Sequence, residues 1–158
     1  TTLKKQDEVV EEIVSEAVMR IRKRFPQHKI DVVVPDELLI VPMDATLIEQ
    51  VLINLMENSI RHSGSSLPVS LKVSCKKAGA VFTISDKGKG IDPSRIPDIF
   101  DGKTYKGSTD SSRGLGIGLS ICKSIILAHN GRIYAENNLN GGASFTFVLP
   151  MKGDFDNA

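Results

Sequence analysis

The stretch Ala45–His62, ATLIEQVLINLMENSIRH, decides how the rest of this sequence is interpreted. Its apolar residues recur at helical spacing, so the pattern predicts one amphipathic helix with Asp44 as its N-cap. Asparagine is a mediocre helix former and is costly to bury unpaired, so Asn54 and Asn58, one turn apart, need partners. Those partners could be neighbouring loops of the fold or a ligand. The polar stripe of this helix consists of Gln50, Asn54, Asn58 and Arg61, with Glu57 beside it.

Length and composition predict an ordinary soluble domain. The 158 residues are 41% hydrophobic and 25% charged, enough for one domain with a proper core. We expect a single domain over residues 1–158, with its core at about 8–151. The net charge of +1 is scattered, so we expect neither nucleic-acid binding nor direct membrane contact. No apolar run is long enough to span a bilayer and Thr1–Asp7 lacks a signal-peptide core, which predicts a cytoplasmic domain.

The order of predicted elements favours the α+β class. Turn residues and changes in apolar periodicity separate the elements. We expect a two-layer α/β sandwich, in which a mixed sheet is covered on one face by helices. Cys75 and Cys122 are expected to be core thiols, because neither has a Cys or His at ligand spacing. The predicted elements are a helix from Val9 that ends before Pro26, strands Ile30–Val34 and Leu38–Met43, the central helix, a hairpin of Val69–Cys75 and Ala80–Ser85, a helical turn Ser94–Phe100, a helix Leu115–Ala128, and a hairpin of Arg132–Glu136 and Ala143–Leu149.

Three loops carry the candidate chemistry. Asp86-Lys-Gly-Lys-Gly90 follows a strand, and its glycines would let the backbone approach a ligand closely. Gly114-Leu-Gly-Ile-Gly118 is expected to open a helix, where exposed backbone N–H groups favour an anion such as phosphate. The following sequence excludes a Rossmann βαβ unit, and the absence of a Gly-Lys-Ser/Thr sequence excludes a Walker loop. Asp101–Arg113, rich in Gly, Ser, Thr and basic residues, is expected to be a mobile loop.

Five segments in this order resemble the N, G1, F, G2 and G3 boxes of the ATP-binding catalytic domain of sensor histidine kinases. They are Gln50–His62, Asp86–Gly90, Ile99-Phe100, Gly114–Leu119 and Gly141–Phe145. The resemblance covers nearly the whole chain and implies the Bergerat fold, which binds ATP with Mg²⁺ under a mobile lid.

A narrower resemblance lies just before and within the central helix. The stretch Pro42-Met-Asp-Ala-x-Leu-Ile-Glu-Gln-Val-Leu52 is similar to the potassium-responsive branch of the sensor kinases.

The family resemblance implies roles for individual residues. Asn54 and Asn58 would be Mg²⁺ ligands, and with Arg61, which stands where the family usually has Lys, they would form the catalytic set. His62 replaces the usual aromatic near the adenine, and Asp86 would accept a hydrogen bond from the adenine amine. The other implied nucleotide contacts are Gly88, Gly90, Ile91, Tyr105 and Lys106 of the lid, Gly114, Leu115, Gly116, Ile117, Gly118, Leu119 and Ser144.

The three histidines lack the sequence context of a phosphoacceptor. His28, His62 and His129 are followed by Lys, Ser and Asn, whereas the family phosphorylates a His that precedes an acidic residue. The resemblance therefore implies a catalytic domain from a longer, membrane-anchored dimeric receptor. Its partners would be the dimerisation domain that carries the acceptor His and, through the whole protein, a response regulator.

Two other classes of function compete with this interpretation. ATP hydrolases of the gyrase, Hsp90 and mismatch-repair types carry a water-activating Glu where Asn54 stands, and an amide cannot act as a general base. A protein-serine kinase of the anti-sigma type, or a nucleotide-sensing module without chemistry, remains an alternative.

Overall fold

A computed structural model of the chain describes residues 2–102 and 110–151, and for residues 110–117 it describes the backbone alone. Three α-helices and seven strands alternate along these residues. None of the described helices has both the length and the apolarity needed to cross a membrane. The elements in chain order are β1 Gln6–Val9, α1 Val10–Arg24, β2 Ile30–Val33, β3 Ile40–Met43, α2 Ala45–His62, β4 Val69–Lys76, β5 Gly79–Ser85, a 3₁₀ turn Pro93–Asp98, α3 Asp110–Ala128, β6 Arg132–Asn137 and β7 Ala143–Leu149.

The main sheet has five strands in the order β2-β4-β5-β7-β6. β2 runs parallel to β4 and the other neighbours are antiparallel, so the sheet is mixed. The contacts of α2 and α3 with the sheet lie on one face, where Leu71, Phe82 and Phe147 are fully buried. The Phe82 and Phe147 rings stack with centroids 4.6 Å apart. The predicted α+β sandwich with helices on one face is confirmed.

The prediction of one sheet was wrong at the N-terminal end. β1, which the sequence analysis did not predict, pairs antiparallel with β3, so these two strands form a sheet of their own. Gln6–Val9 has no apolar alternation. Its extended backbone depends on hydrogen bonds to a partner more than thirty residues away, which a local pattern does not reveal.

The start of α3 also differs from the prediction. The helix begins at Asp110 instead of Leu115, so the last residues of the predicted loop Asp101–Arg113 are helical. An acidic residue followed by serines suits the positive end of a helix dipole, and glycine tolerates helical backbone angles. Residues 103–109, which include Tyr105 and Lys106 of the expected lid, lie outside the described residues.

Only one of the two cysteines is a core thiol. Cys122 is fully buried, but Cys75 is exposed near the end of β4, where the strand extends past the core. Both cysteines are free thiols.

A buried junction fixes the beginning of α2. The Asp44 Oδ1 atom accepts a hydrogen bond from the Leu47 amide at 3.2 Å, which confirms the predicted N-cap. The Asp44 amide donates to Nε2 of His129 at 3.0 Å, and Nδ1 of His129 lies 2.8 Å from the Ile125 carbonyl oxygen. Because Nε2 accepts, Nδ1 carries the proton. His129 is only 1% exposed, so one neutral imidazole joins the start of α2 to the end of α3.

We expect His129→Ala to lower the free energy of unfolding by about 2–4 kcal/mol, because it leaves the Asp44 amide without its acceptor and opens a cavity. Urea unfolding followed by circular dichroism measures the change. The control is His28→Ala, since His28 is only partly buried and its Nε2 atom lies 3.1 Å from the Leu67 carbonyl oxygen in an exposed contact. Equal effects of the two substitutions would contradict the junction's role.

Candidate functional site

The carboxylate of Asp86 is the most highly organised group in the candidate site. Asp86 follows β5 and is only 5% exposed. Its Oδ1 atom accepts hydrogen bonds from the Gly88 amide at 3.0 Å and the Ala143 amide at 3.2 Å. Both donors bind the same oxygen, and no donor to Oδ2 is found among the described residues. The carboxylate is therefore held rigidly while one oxygen stays available to a ligand donor.

Two glycines allow the backbone to close around this carboxylate. Gly142 has a φ of +84°, and a Cβ atom there would lie 2.0 Å from the Asp86 carbonyl oxygen. A Cβ atom on Gly88 would lie 2.1 Å from the Ser63 carbonyl oxygen, which also accepts a hydrogen bond from the Lys89 amide at 2.9 Å. The residue that lies close to Gly88 is thus Ser63, the C-cap of α2, and not a ligand. The loop that carries Asp86 is docked onto the helix that carries the asparagines.

Sequence reasoning missed two asparagines that hold the same loop. Asn137 accepts from the Ile91 amide at 2.7 Å and donates to the Ile91 carbonyl oxygen at 2.8 Å. The Asn138 side chain donates to the Asp86 carbonyl oxygen at 3.3 Å. Both precede a Gly-Gly pair, so their sequence signal is that of ordinary turn residues.

Asn54 and Asn58 lie on α2, as the sequence predicted, and both are partly buried. The Oδ1 atom of Asn58 is fully buried and has no hydrogen-bond partner among the described residues. A buried oxygen without a hydrogen bond lowers the folding stability by about 1–3 kcal/mol, and a bound cation would offset this loss. No cluster of three or more His, Cys, Asp or Glu that could hold a metal is present in the described part of the chain. The amide oxygens fit Mg²⁺ bound together with a triphosphate, because two neutral ligands are weak for a hard cation alone.

Arg61 lies against the end of α1. Its Nε atom is 3.6 Å from Oε1 of Glu57, and its guanidinium group lies 5.2 Å from the centre of the Phe25 ring. Arg24 also forms an ion pair with Glu57. The guanidinium group of Arg24 lies 5.6 Å from the centre of the same Phe25 ring. The Arg61 side chain is 52% exposed, so it is free to change rotamer towards a bound anion.

A group of positive charges surrounds His62. Burial lowers the pKa of this half-buried imidazole, and the positive charges of Lys89, Arg61 and Arg95 lower it further. Lys89 and Arg95 were not predicted as site residues, although Lys89 lies between Gly88 and Gly90 of the predicted loop. The cluster creates a positive potential that favours an anionic ligand such as a phosphate chain.

Comparison with known proteins identifies the family. Residues 43–153 match the family described as histidine kinase-, DNA gyrase B-, and HSP90-like ATPases. The chain belongs to this family. The matched residues include α2, the Asp86 loop, α3 and the Gly142 turn.

The chain is similar to sensor kinases within this family. It is 49% identical over 154 residues to the sensor protein KdpD of Clostridium acetobutylicum. The aligned residues make up 96% of this chain and 17% of the relative. The chain therefore spans about a sixth of the length of that relative. This similarity confirms the narrower resemblance of Pro42–Leu52 as one to KdpD sensor kinases.

Solved structures of histidine kinases share the fold. The nucleotide-free catalytic domain of the histidine kinase ThkA superimposes with a TM-score of 0.80 at 27% identity, over 94% of this chain and 97% of that chain. ThkA in complex with the response regulator protein TrrA matches with a TM-score of 0.77 at 27% identity, over 95% and 42% of the two chains. The Bergerat fold expected from the sequence is confirmed.

The remaining family positions differ in their surroundings. Leu119 is buried in the core. Apart from its chain neighbours and the backbone of its own helix, no described residue has an atom within 4 Å of a Cβ atom built on Gly118. The backbone of Gly114, Leu115, Gly116 and Ile117 lies within α3, and the side chains of Leu115 and Ile117 are outside the described part. Phe100 of the F box packs edge-on against Phe145, with ring centroids 6.3 Å apart.

The Ser144 hydroxyl has two protein partners. Its Oγ atom is 2.6 Å from the Ser85 hydroxyl and donates to Oδ1 of Asn138 at 2.6 Å. Its strand neighbours Ala143 and Phe145 face the core, so Ser144 points to the opposite face of the sheet. Its predicted contact with the base stays a prediction.

We expect His62 to titrate below its ordinary pKa of 6.5, and Lys89→Gln to raise that pKa by removing a nearby positive charge. Nuclear magnetic resonance of the imidazole during a pH titration measures both values. Because the unfolded chain binds this proton more readily than the folded chain, the stability contributed by His62 is complete above pH 6.5. It is lost as the pH falls towards the folded-state pKa. Lys87→Gln is the control, and an equal rise in that variant would contradict the assignment.

Proposed function

We propose that this chain is the ATP-binding catalytic domain of a two-component sensor histidine kinase of the KdpD type. It would transfer the γ-phosphate of ATP to a histidine on a separate dimerisation domain. The observation that carries the proposal is the Asp86 carboxylate, whose Oδ1 atom is saturated by two backbone amides while Oδ2 remains available. Membership of an ATPase family and similarity to sensor kinases support the same conclusion.

Asp86 would select adenine. The adenine amine is a donor and suits a carboxylate oxygen, whereas guanine presents a carbonyl oxygen at that position and would be repelled. Ile91, which packs against the core, would line the base pocket together with Ile117. The rigid attachment of the Asp86 loop to α2 and β6 would place the base without further ordering of the chain.

The phosphates would lie along the polar end of α2. Asn54 and Asn58 would hold Mg²⁺, which when bound would neutralise part of the phosphate charge. Arg61 would turn from Glu57 to the phosphates, and Lys89 would add positive charge beside His62. Gly114, Gly116 and Gly118 lie within α3, which begins at Asp110, and because glycine has no Cβ atom they would let the phosphates approach the helix closely from the other side.

The amide at position 54 supports transfer rather than hydrolysis. A water-activating base must accept a proton, and a neutral amide does not do so at physiological pH. The acceptor would have to be a side chain supplied by another domain.

The three histidines of this chain are poor candidates for the acceptor. His129 is buried with both ring nitrogens engaged, His62 lies within the candidate site, and His28 contacts the Leu67 carbonyl oxygen. The acceptor His would therefore belong to the dimerisation domain of the same kinase, in a full-length protein anchored in the membrane with this domain on the cytoplasmic side. The complex of ThkA with TrrA supports a response regulator as the next partner in the relay.

We expect Asp86→Asn to weaken ATP binding by roughly tenfold to a hundredfold, because it replaces an acceptor by an amide donor and removes a charged hydrogen bond worth ~1.5–3 kcal/mol. The amide oxygen of Asn can still accept from Gly88 and Ala143, so the melting temperature should change little. Calorimetry with ATP and GTP tests this expectation. Unchanged ATP affinity in a folded variant would refute the adenine assignment.

We expect this chain to bind MgATP, to hydrolyse it at background rates and to label a dimerisation domain added in trans from γ-labelled ATP. The label should be acid-labile and base-stable, as phosphohistidine is. Asn58→Ala should stop the transfer by removing a Mg²⁺ ligand, whereas the control Asn140→Ala, at an exposed loop position, should not. An acid-stable label on the chain alone would instead favour the serine-kinase alternative.

A further inference from the structure

The carboxylate of Glu57 is shared by two arginines that come from different helices. Its Oε1 atom accepts a hydrogen bond from Nη2 of Arg24 at the end of α1, and it lies 3.6 Å from Nε of Arg61, one turn later on α2. Both guanidinium groups also lie near the centre of the Phe25 ring, Arg24 at 5.6 Å and Arg61 at 5.2 Å. One negative charge therefore holds two positive charges at the junction of α1 and α2.

The carboxylate does not hold the two arginines equally. The contact with Arg24 is a charged hydrogen bond, whereas 3.6 Å is too long for a hydrogen bond, so Arg61 is attached to Glu57 by charge alone. The two cations also repel each other, which favours the departure of one of them. Because its attachment is weaker, Arg61 is the arginine that can leave with the smaller loss of free energy.

Arg61 is also the arginine beside the candidate phosphate site. It follows Asn58 by one turn, so the two side chains lie on the same stripe of α2. A triphosphate held at this stripe would attract the guanidinium group, and Glu57 would compete with the phosphates for the same group. Binding must therefore exchange one acidic partner of Arg61 for another.

Arg24 determines how strongly Glu57 competes. The Glu57 side chain is only 24% exposed, so water screens its attraction to nearby cations incompletely. While Arg24 donates to the carboxylate, much of the Glu57 charge is already compensated and the pull on Arg61 is reduced. Without Arg24, the whole charge of Glu57 would act on Arg61.

We propose that Arg24 and Glu57 are positioning residues, which together set how readily Arg61 turns towards the phosphates of bound nucleotide. Glu57 holds Arg61 away from the phosphates in the free chain, and Arg24 weakens that hold by occupying the same carboxylate. This inference rests on the proposed function, because it takes Arg61 as a phosphate ligand. Arg24 and Glu57 themselves would not touch the nucleotide, and both act through Arg61.

Calorimetry with MgATP and with adenosine tests the role of Glu57. Glu57→Gln should bind MgATP about two- to fivefold more tightly, the range expected for one exposed ion pair, and should bind adenosine as the unaltered chain does. A gain confined to the ligand with phosphates is not what damage to the fold would produce. Unchanged or weaker MgATP binding by folded Glu57→Gln would overturn the proposal.

The chain offers a matched control on the same pair of helices. Glu49 lies two turns earlier on α2, roughly 12 Å along the axis, and its Oε1 atom is 3.9 Å from Nε of Arg20 on α1. Glu49→Gln removes the same charge from the same helix, but at a distance beyond the Debye length of about 8 Å at physiological salt. It should leave MgATP affinity unchanged, and a gain equal to that of Glu57→Gln would overturn the proposal.

The role of Arg24 predicts a change in the opposite direction. Arg24→Gln should weaken MgATP binding about two- to fivefold, whereas the control Arg20→Gln should not. In a Glu57→Gln background, Arg24→Gln should cause no further loss, because the competing carboxylate is already absent. An undiminished loss in that background would show that Arg24 acts independently of Glu57 and would overturn the proposal.

A last pair of variants tests whether Glu57 acts through Arg61. In an Arg61→Gln background, the gain caused by Glu57→Gln should disappear, and an undiminished gain would overturn the proposal. Failure of the unaltered chain to bind MgATP would refute the proposed function and this inference with it. Binding by the unaltered chain, with no gain in Glu57→Gln, would overturn this inference alone.

Discussion

The rest of the structure is arranged so that the apolar surface of α2 is buried away from water. This helix is apolar over most of its surface, and Val51, Leu52, Leu55 and Met56 are fully buried. Burying such a side chain contributes about 1.5–3 kcal/mol, so the helix is stable only when it is packed on several sides. α1 lies on one flank, α3 on the other, and β4 and β5 lie beneath it. The part of α2 that remains for a ligand is the stripe with Asn54 and Asn58.

The position of α2 in turn organises the adenine end of the candidate site. Ser63 caps the helix and accepts from the Lys89 amide, so the loop that begins at Asp86 is fastened to the end of α2. Gly142 lets β7 begin directly against Asp86, and Asn137 and Asn138 attach the loop to the end of β6. The site thus combines a rigid carboxylate with asparagines held on the same framework. This arrangement supports binding in which little ordering is required at the base end.

The electrostatics of the site divide it into two parts. Near His62, burial lowers the pKa of the imidazole, and the positive charges of Lys89 in the Asp86 loop, Arg61 on α2 and Arg95 in the 3₁₀ turn lower it further. Such a concentration of positive charge favours a bound phosphate. Near Asn54 and Asn58 the side chains are neutral, and the described residues offer no acidic cluster for a free cation. A cation would therefore bind together with its nucleotide.

The central helix, the two hairpins and the class of fold could be predicted from the sequence alone. α2 begins and ends as predicted because its N-cap, its apolar periodicity and Gly64, which follows the C-cap Ser63 at a φ of 70°, are local signals. The box motifs also indicated Asp86, Asn54 and Asn58, because their residue types and spacing are unusual for a core helix and a surface turn.

Contacts between distant segments were decided by the tertiary structure. β1 forms because β3 supplies its hydrogen bonds, and Gly88 is required by Ser63 rather than by a ligand. Asn137 and Asn138 resemble turn residues until their partners at Ile91 and Asp86 are seen. Periodicity and capping report what a residue does within its own element. Pairings between elements depend on how the packed layers bring them together, so they are absent from any local pattern.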